Sequence, residues 1–151
     1  MISERIDRLR EIIEEKIPLN RMIGLKMESV ADGKARFRFD FKPELVGNFI
    51  MGILHGGVIS ATMDVVGAVA VLSSFPEMAM PMGGIGTVDL RVDYLRPSKG
   101  EFFICTGQVM RPGRILSSTR MELYNDQEKL CAIGTAIYRL SREEKSEKIS
   151  V

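Results

Sequence analysis

One long apolar segment, residues 57–74, most constrains how this chain can fold. It contains a single charged residue, Asp64, and it ends shortly before Pro76 and Pro81, which typically close a helix. Its length would also suit a bilayer span, but the segment carries hydroxyl residues, a carboxylate and glycines. A helix that is apolar on every side must be buried in a core. The sequence therefore predicts a central buried helix that other elements cover.

Segments that alternate between apolar and polar residues lie on both sides of this helix. Before it, Phe37 and Phe39 alternate with Arg36 and Arg38, a period of two that is typical of a half-buried strand. Asp32-Gly33 predicts a hairpin turn to a partner strand over residues 25–30. Four strands are predicted after the helix, with these apolar positions: Val88, Leu90, Val92 and Tyr94; Phe103, Cys105 and Val109; Ile115, Met121 and Leu123; Leu130, Ala132, Ala136 and Tyr138.

The order of elements sets the fold class. The connections at residues 96–100, 111–113 and 125–127 are short and turn-like, so the last four strands are expected to be antiparallel neighbours. No strand–helix–strand alternation is present, which excludes a parallel sheet with crossover helices. The predicted class is α+β, with a six-stranded antiparallel sheet wrapped around the central helix. One free sheet edge would suit pairing with a second copy.

The remaining segments complete the domain organisation. An apolar stripe at Ile6, Leu9 and Ile13 predicts an amphipathic N-terminal helix over residues 1–17, ended by Pro18. Residues 18–140 form the predicted domain, within which residues 43–52 are interpreted as a loop. Residues 141–151 are rich in charge and are interpreted as a flexible tail.

Composition excludes several classes of function. The 151 residues carry 21 basic and 20 acidic side chains, so the net charge of +1 offers no field for a nucleic acid or an anionic membrane. Cys105 and Cys131 are the only cysteines and belong to no metal-binding pattern, which favours small buried apolar residues over a metal or redox site. The first residues lack the apolar core of a secretory signal, so a cytoplasmic location is expected.

The glycine-rich start of the central helix is the most informative site. Gly56 and Gly57 allow a ligand to approach the backbone, and the N–H groups of a first helical turn suit a carbonyl oxygen that gains negative charge. This is the requirement of acyl transfer. Asp64 lies seven residues after Gly57, on nearly the same helix face and about 10 Å further along. Asp64 is equally well explained as a structural or solvent-facing carboxylate.

Other chemical readings of this region are weaker. His55, the single histidine, is interpreted either as a functional residue or as an anchor of the loop, and without a metal-ligand cluster no metal site is expected. Ser60 lacks the context of a catalytic triad. The glycines at residues 83–86 precede a strand instead of opening a helix, so they do not form a dinucleotide-binding loop.

His55-Gly56-Gly57, with Asp64 nine positions after the histidine, resembles the motif of hotdog-fold acyl-CoA thioesterases of the PaaI-like type, named after phenylacetic acid degradation. The resemblance covers residues 23–140 and continues through GTVDL at 86–90, DYLRP at 93–97, Gly113-Arg114 and Ala136. It implies the hotdog fold, a homodimer that often pairs into a homotetramer, and a reaction that uses no cofactor.

The resemblance also implies roles for single residues. The Gly57 N–H would stabilise the oxyanion, and Asp64, reaching in from the partner subunit, would act as general base or nucleophile. His55 would orient the loop or polarise the carbonyl, and Thr87 would help to place the water. An Asn or Gln usually lies six residues before the histidine; Phe49 stands there in this chain, and the neighbouring Asn48 is the candidate for that role.

The substrate implied is an acyl-CoA. Arg96, Lys99 and Arg114 are candidates for binding the CoA phosphates, although ordinary turn charges explain them at least as well. Candidates for lining the substrate pocket, each of them also explained as plain core or backbone, are Gly56, Val58, Met63 and Met82.

The predicted function is therefore hydrolysis of an acyl-CoA to free CoA and a carboxylic acid. Two alternatives use the same fold. A non-catalytic acyl-CoA sensor would usually carry an added DNA-binding segment, and residues 1–17 supply only one helix of mixed charge. A dehydratase or hydratase needs an Asp and a His placed across a double bond, whereas His55 belongs to the glycine loop.

Overall fold

A six-stranded antiparallel sheet wraps around one long helix in the computed structural model, which describes residues 2–75 and 84–141. This confirms the predicted α+β class and the hotdog architecture. The helices are α1 (Ile2–Glu11), which continues as a π-helical turn (Ile12–Lys16), α2 (Pro18–Ile23) and α3 (Gly56–Ser73). The strands are β1 (Lys26–Ala31), β2 (Lys34–Asp40), β3 (Val46–Asn48), β4 (Ile53–Leu54), β5 (Ile85–Tyr94), β6 (Phe102–Arg111), β7 (Leu116–Asn125) and β8 (Leu130–Leu140).

The order of strands in the large sheet is β1-β2-β6-β7-β8-β5. The predicted hairpins β1–β2, β6–β7 and β7–β8 are all present. The prediction that β5 and β6 are neighbours is wrong, because β5 pairs with β8 at the sheet edge and β6 pairs with β2. The short segment between β5 and β6 therefore crosses from one edge strand to the middle of the sheet. A short connection requires only that the two strand ends lie near each other. The end of β5 and the start of β6 do so although the two strands do not form a hairpin.

The first hairpin shows how local sequence builds the sheet. Asp32 and Gly33 have φ angles of 48° and 77°, the left-handed geometry of a two-residue hairpin turn. On β2, Phe37 and Phe39 are buried against the helix. The ring of Phe39 stacks on Phe103 of β6 with 5.3 Å between centroids. The alternation read from the sequence thus marks the face of the sheet that meets the core.

Helix α3 packs along the inner face of the sheet. Its length and composition would suit a membrane span, but in this fold its apolar side chains fill the core. The buried residues of α3 are Ile59, Thr62, Met63, Val66, Gly67, Val69, Ala70, Val71 and Leu72. Cys105 and Cys131 are buried as well, as the sequence indicated. The predicted closing residues Pro76 and Pro81 lie outside the described residues, as do residues 142–151.

Two connecting segments differ from their predicted form. Pro18 follows the first helical segment but also occupies the first turn of α2, where its missing N–H costs nothing. Residues 43–52, predicted as a loop, contain a 3-10 turn and strand β3, which pairs with β4 in a second, two-stranded sheet. Three residues predicted on apolar strand faces, Val88, Tyr94 and Ile115, are exposed. Val88 lies at a bulge in β5, and Ile115 precedes the first residue of β7.

Candidate active site

The amino end of α3 is held by the side chain of His55. His55 Nδ1 accepts a hydrogen bond from the Gly57 N–H at 2.8 Å, which caps the helix. The His55 N–H donates to the Leu45 carbonyl at 2.8 Å and ties the cap to the 3-10 turn. The predicted loop-anchoring role of His55 is therefore visible. The Gly57 N–H, predicted as the oxyanion donor, is occupied by His55 in this conformation.

The backbone N–H of the preceding residue, Gly56, is not capped in this way. The Gly56 N–H has no hydrogen-bond acceptor among the residues that the structure describes. On the other side of the same residue, the Gly56 carbonyl accepts a hydrogen bond from the hydroxyl of Tyr94, the last residue of β5, at 2.9 Å. The first turn of α3 thus presents one unpartnered N–H and one N–H capped by a histidine. Both carry the partial positive charge of a helix amino end.

Asp64 is half-buried two turns further along α3. The Thr87 hydroxyl of β5 donates to Asp64 Oδ1 at 2.7 Å, so the structure brings together these two predicted residues. No ion pair in residues 2–75 or 84–141 includes Asp64. The carboxylate is therefore oriented by a hydroxyl and is not neutralised by a described cation, as a purely structural salt bridge would require.

Tyr138 of β8 lies beneath Asp64. Its buried hydroxyl donates to the Asp64 carbonyl at 2.7 Å. Burial, and then the nearby negative charge of Asp64, raise the pKa of Tyr138 well above its usual value. The hydroxyl therefore remains a neutral donor, and it fixes the backbone from which the Asp64 side chain projects.

The spacing along α3 limits what one copy can do. Gly56 and Asp64 are eight residues apart, which corresponds to about 12 Å along a helix. A carboxylate oxygen and an oxyanion donor that serve the same carbonyl group directly have to lie within about 6 Å of each other. Whether the donor is Gly56 or the predicted Gly57, the amide and Asp64 are therefore too far apart along one helix to act directly on the same carbonyl.

The predicted phosphate-binding cations divide between the two ends of the sheet. Arg96 and Lys99 follow β5, and the loop that holds them contacts β4, two residues before α3, where the Leu54 N–H donates to the Ser98 carbonyl at 3.0 Å. Arg114 lies in the turn between β6 and β7, at the opposite end of strands roughly 30 Å long. One chain therefore does not gather all three cations around one group of phosphates.

The predicted substrate-lining residues also divide. Met63 is completely buried in the core, which agrees with its interpretation as a plain core residue, and its role in lining a pocket stays a prediction. Val58 is half-buried beside the core, Gly56 lies against the Tyr94 ring, and Met82 is outside the described residues.

Asn48 performs a local structural task. Its Oδ1 accepts from the N–H groups of Ile50 and Met51, both at 3.1 Å, in a tight turn between β3 and β4. This turn leaves the side chains of Phe49, Ile50 and Met51 exposed. The catalytic role that the resemblance implies for Asn48 remains a prediction, since its carboxamide oxygen is engaged in the turn.

No group of three His, Cys, Asp or Glu side chains that could hold a metal ion occurs within the described ranges. The polar groups that the described site presents are the N–H groups of Gly56 and Gly57, the Asp64 carboxylate and the Thr87 hydroxyl.

Comparison with known proteins decides the family. Residues 51–132, more than half of the chain and including α3, match the Thioesterase superfamily. The chain belongs to the thioesterase superfamily. Among its relatives in this superfamily is the Escherichia coli K12 medium/long-chain acyl-CoA thioesterase YigI, which is 37% identical over 137 residues. The match covers 85% of this chain and 88% of YigI.

Two solved structures are similar to this chain. A Shewanella oneidensis protein related to the thioesterase superfamily is 34% identical with a TM-score of 0.83, covering 93% of this chain and 97% of that chain. The E. coli PaaI protein from the phenylacetic acid degradation operon is 18% identical with a TM-score of 0.77, covering 93% and 94%, and shares the fold. The resemblance inferred from the sequence is thus confirmed, and the chain is a thioester hydrolase.

Sequence reasoning did not assign a role to either tyrosine that contacts α3. Tyr94 and Tyr138 both occupy apolar-face positions of strands, where a tyrosine reads as a core residue. Only the packing of β5 and β8 against α3 shows that their hydroxyls reach helix carbonyls.

Proposed function

We propose that this thioesterase-superfamily protein hydrolyses acyl-CoA thioesters to CoA and a carboxylic acid, with Asp64 as the reacting carboxylate. The similarity to YigI supports the substrate class. The observation that carries the proposal is the state of Asp64, which is half-buried, oriented by the Thr87 hydroxyl and in no described ion pair. Holding a carboxylate in this way on an apolar helix is costly unless its charge is used.

The reaction follows from the groups present. Asp64 takes a proton from water while the water oxygen attacks the thioester carbon, and the carbonyl oxygen gains negative charge. Helix N–H groups donate to that oxygen. The tetrahedral species then expels the CoA sulfur, the C–S bond breaks, and the thiolate takes up the proton. In the second route Asp64 itself attacks, and water then hydrolyses the mixed anhydride. A thioester is electrophilic enough for either route without a metal or cofactor.

The Gly56 N–H is the better placed oxyanion donor. It has no described acceptor, whereas the Gly57 N–H is released only when the His55 ring turns away from the cap. We therefore assign the first contact with the carbonyl oxygen to Gly56, with Gly57 as a second donor after His55 moves. This assignment extends the role that the resemblance gave to Gly57 alone.

Two copies are needed to complete the site in this proposal. The amides of one copy meet Asp64 of the other, because the two lie about 12 Å apart on one helix. Strand β5 supports this arrangement. No described strand pairs with its outer edge, and Val88, Tyr94 and Leu95 expose large apolar surface along or beside it. Such an edge favours pairing with a second β5.

We propose a substrate preference from the similarity to YigI and from the positions of positively charged side chains. YigI is named a medium/long-chain acyl-CoA thioesterase, and we propose the same substrate class for this chain. Arg96 and Lys99 are proposed to bind the CoA phosphates, since their loop borders the amino end of α3. Arg114 can join them only if it comes from another copy.

Thiol release from a panel of acyl-CoAs of increasing chain length tests the reaction. We expect turnover of the native protein and a loss of at least about a hundredfold in Asp64→Asn. Asp40→Asn is the matched control, since it removes an exposed carboxylate paired with Arg38 at the end of β2, and it should retain native activity. Activity of Asp64→Asn within a few fold of native would remove Asp64 from the chemistry. Tight acyl-CoA binding without release would favour a sensor.

Complementation tests the shared site. Gly56→Val should displace the first turn of α3 and its amides, since even a single added carbon would lie 3.3 Å from the Tyr94 ring. If the site is shared, co-expressed Asp64→Asn and Gly56→Val chains form hybrid dimers in which one site has both native groups. We expect activity to return in the hybrid although each variant alone is inactive. A hybrid as inactive as its parents would contradict the two-copy arrangement.

A further inference from the structure

The hydroxyl of Tyr94 holds the peptide group between Gly56 and Gly57. Tyr94 Oη donates to the Gly56 carbonyl at 2.9 Å. The N–H of the same peptide group belongs to Gly57 and is held by His55 Nδ1 at 2.8 Å. A peptide group is planar, so fixing its carbonyl also fixes the direction of its N–H. Two side chains from different elements thus restrain one peptide group at the start of α3.

Two adjacent glycines make such a restraint necessary. Glycine has more conformational freedom than any other residue, and a helix start with two glycines tends to fray. The glycines have a reason to be there, because a Cβ on Gly56 would lie 3.3 Å from three atoms of the Tyr94 side chain. The ring therefore lies directly against the backbone of Gly56. The absence of a side chain at Gly56 lets the Tyr94 ring approach the backbone, and the hydrogen bond from Tyr94 restrains the flexible glycine backbone.

We infer that Tyr94 is a positioning residue for the Gly57 N–H, the second of the two proposed oxyanion donors, acting through the Gly56 carbonyl. This inference rests on the proposed function. When His55 turns away from the Gly57 N–H, the bond from Tyr94 remains and keeps the peptide group in place. The same bond polarises that peptide group and strengthens its N–H as a donor. A preorganised donor lowers the barrier of the chemical step more than it tightens substrate binding.

Tyr94→Phe tests the inference, because it keeps the ring and removes only the hydroxyl. We expect kcat to fall by about tenfold with KM changed by less than about threefold. Tyr124→Phe is the matched control. Its hydroxyl bonds to Glu122 on the outer face of β7, away from α3, and its kinetics should remain native.

Hydrogen exchange of backbone amides supplies a readout that does not depend on activity. In Tyr94→Phe, exchange at Gly57 should accelerate at least about fivefold, while amides in the second half of α3 keep native rates. A merely structural role would accelerate exchange along the whole helix or lower the thermal midpoint.

The outcomes separate the two proposals. If the native protein releases no thiol from any acyl-CoA, the proposed function fails, while the exchange measurement still decides whether Tyr94 restrains the glycines. If the native protein is active and Tyr94→Phe keeps kcat within twofold of native, the positioning role is wrong and the proposed function stands. A loss confined to KM would make Tyr94 a substrate contact and would also overturn the inference.

Discussion

Gly67→Ala is expected to destabilise the protein although alanine is the better helix former. Gly67 lies on the buried face of α3, opposite the hydroxyl of Tyr138. A Cβ at this position would overlap with that hydroxyl oxygen and would lie 3.0 Å from Met121 Sδ and from Thr119 Oγ1. Interiors are close-packed, so the tyrosine has to move and lose its bond to the Asp64 carbonyl.

The magnitude follows from three contributions. Removing a helical glycine gains about 1 kcal/mol. Overpacking of a core costs about 1–3 kcal/mol, and a buried hydroxyl without a partner costs about 1–3 kcal/mol more. The free energy of unfolding should therefore fall by about 1–5 kcal/mol, which for a chain of this size lowers the thermal midpoint by about 2–20 °C.

The assay is thermal and urea unfolding followed by circular dichroism at one fixed protein concentration, since association changes apparent stability. Tyr138→Phe provides the second arm of a double-mutant cycle. Phenylalanine lacks the hydroxyl, so Gly67→Ala should cost much less in that background, with a coupling of at least about 1 kcal/mol. An equal cost in both backgrounds, or a stabilised Gly67→Ala protein, would refute the reasoning.

Three further perturbations test other contacts. Thr87→Val should lower kcat about tenfold by freeing the Asp64 carboxylate, whereas Thr87→Ser should stay within about threefold of native; equal rates for both would show that the hydroxyl bond is dispensable. Because burial raises the pKa of Tyr138, the folded state keeps a proton that the unfolded chain releases above about pH 10. The free energy of unfolding should therefore fall by up to about 1.4 kcal/mol per pH unit above that pH, and less steeply in Tyr138→Phe. Urea titrations between pH 9 and about 11 measure this slope. Thr62→Val should raise the unfolding free energy by about 1 kcal/mol, since the buried Thr62 hydroxyl has no described partner; a loss of stability would indicate that it has one.

The elements that sequence reasoning predicted well are those whose signal is local. The turn at Asp32-Gly33 requires left-handed backbone that few other residue pairs adopt readily, so the hairpin could be read directly. The alternation around Phe37 marks the buried face of β2. The apolar helix was predicted within one residue at each end, because its composition leaves no alternative to burial.

The candidate site was predictable only in part. Asp64 stood out because a carboxylate in an apolar helix needs an explanation, and Thr87 was implied by the family resemblance; the structure joins the two. His55 as a cap of the Gly57 N–H was not predicted in that form, since a cap depends on the angle at which the chain enters the helix. For Met63 the sequence left two interpretations, pocket lining and plain core, because it does not say which side of α3 faces the sheet; the structure shows the side chain buried.

By itself, the sequence determined the six strands of the large sheet, the first helix, the central position of α3 and the residue types gathered at its amino end. These properties depend on side-chain periodicity and on backbone preferences that act over a few residues. Only the tertiary structure decided that β5 lies at the sheet edge beside β8, that Arg114 is remote from Arg96, and that Tyr94 and Tyr138 contact α3. Such contacts join residues far apart in the chain, and they arise only when the whole sheet closes around the helix and its buried polar groups find partners.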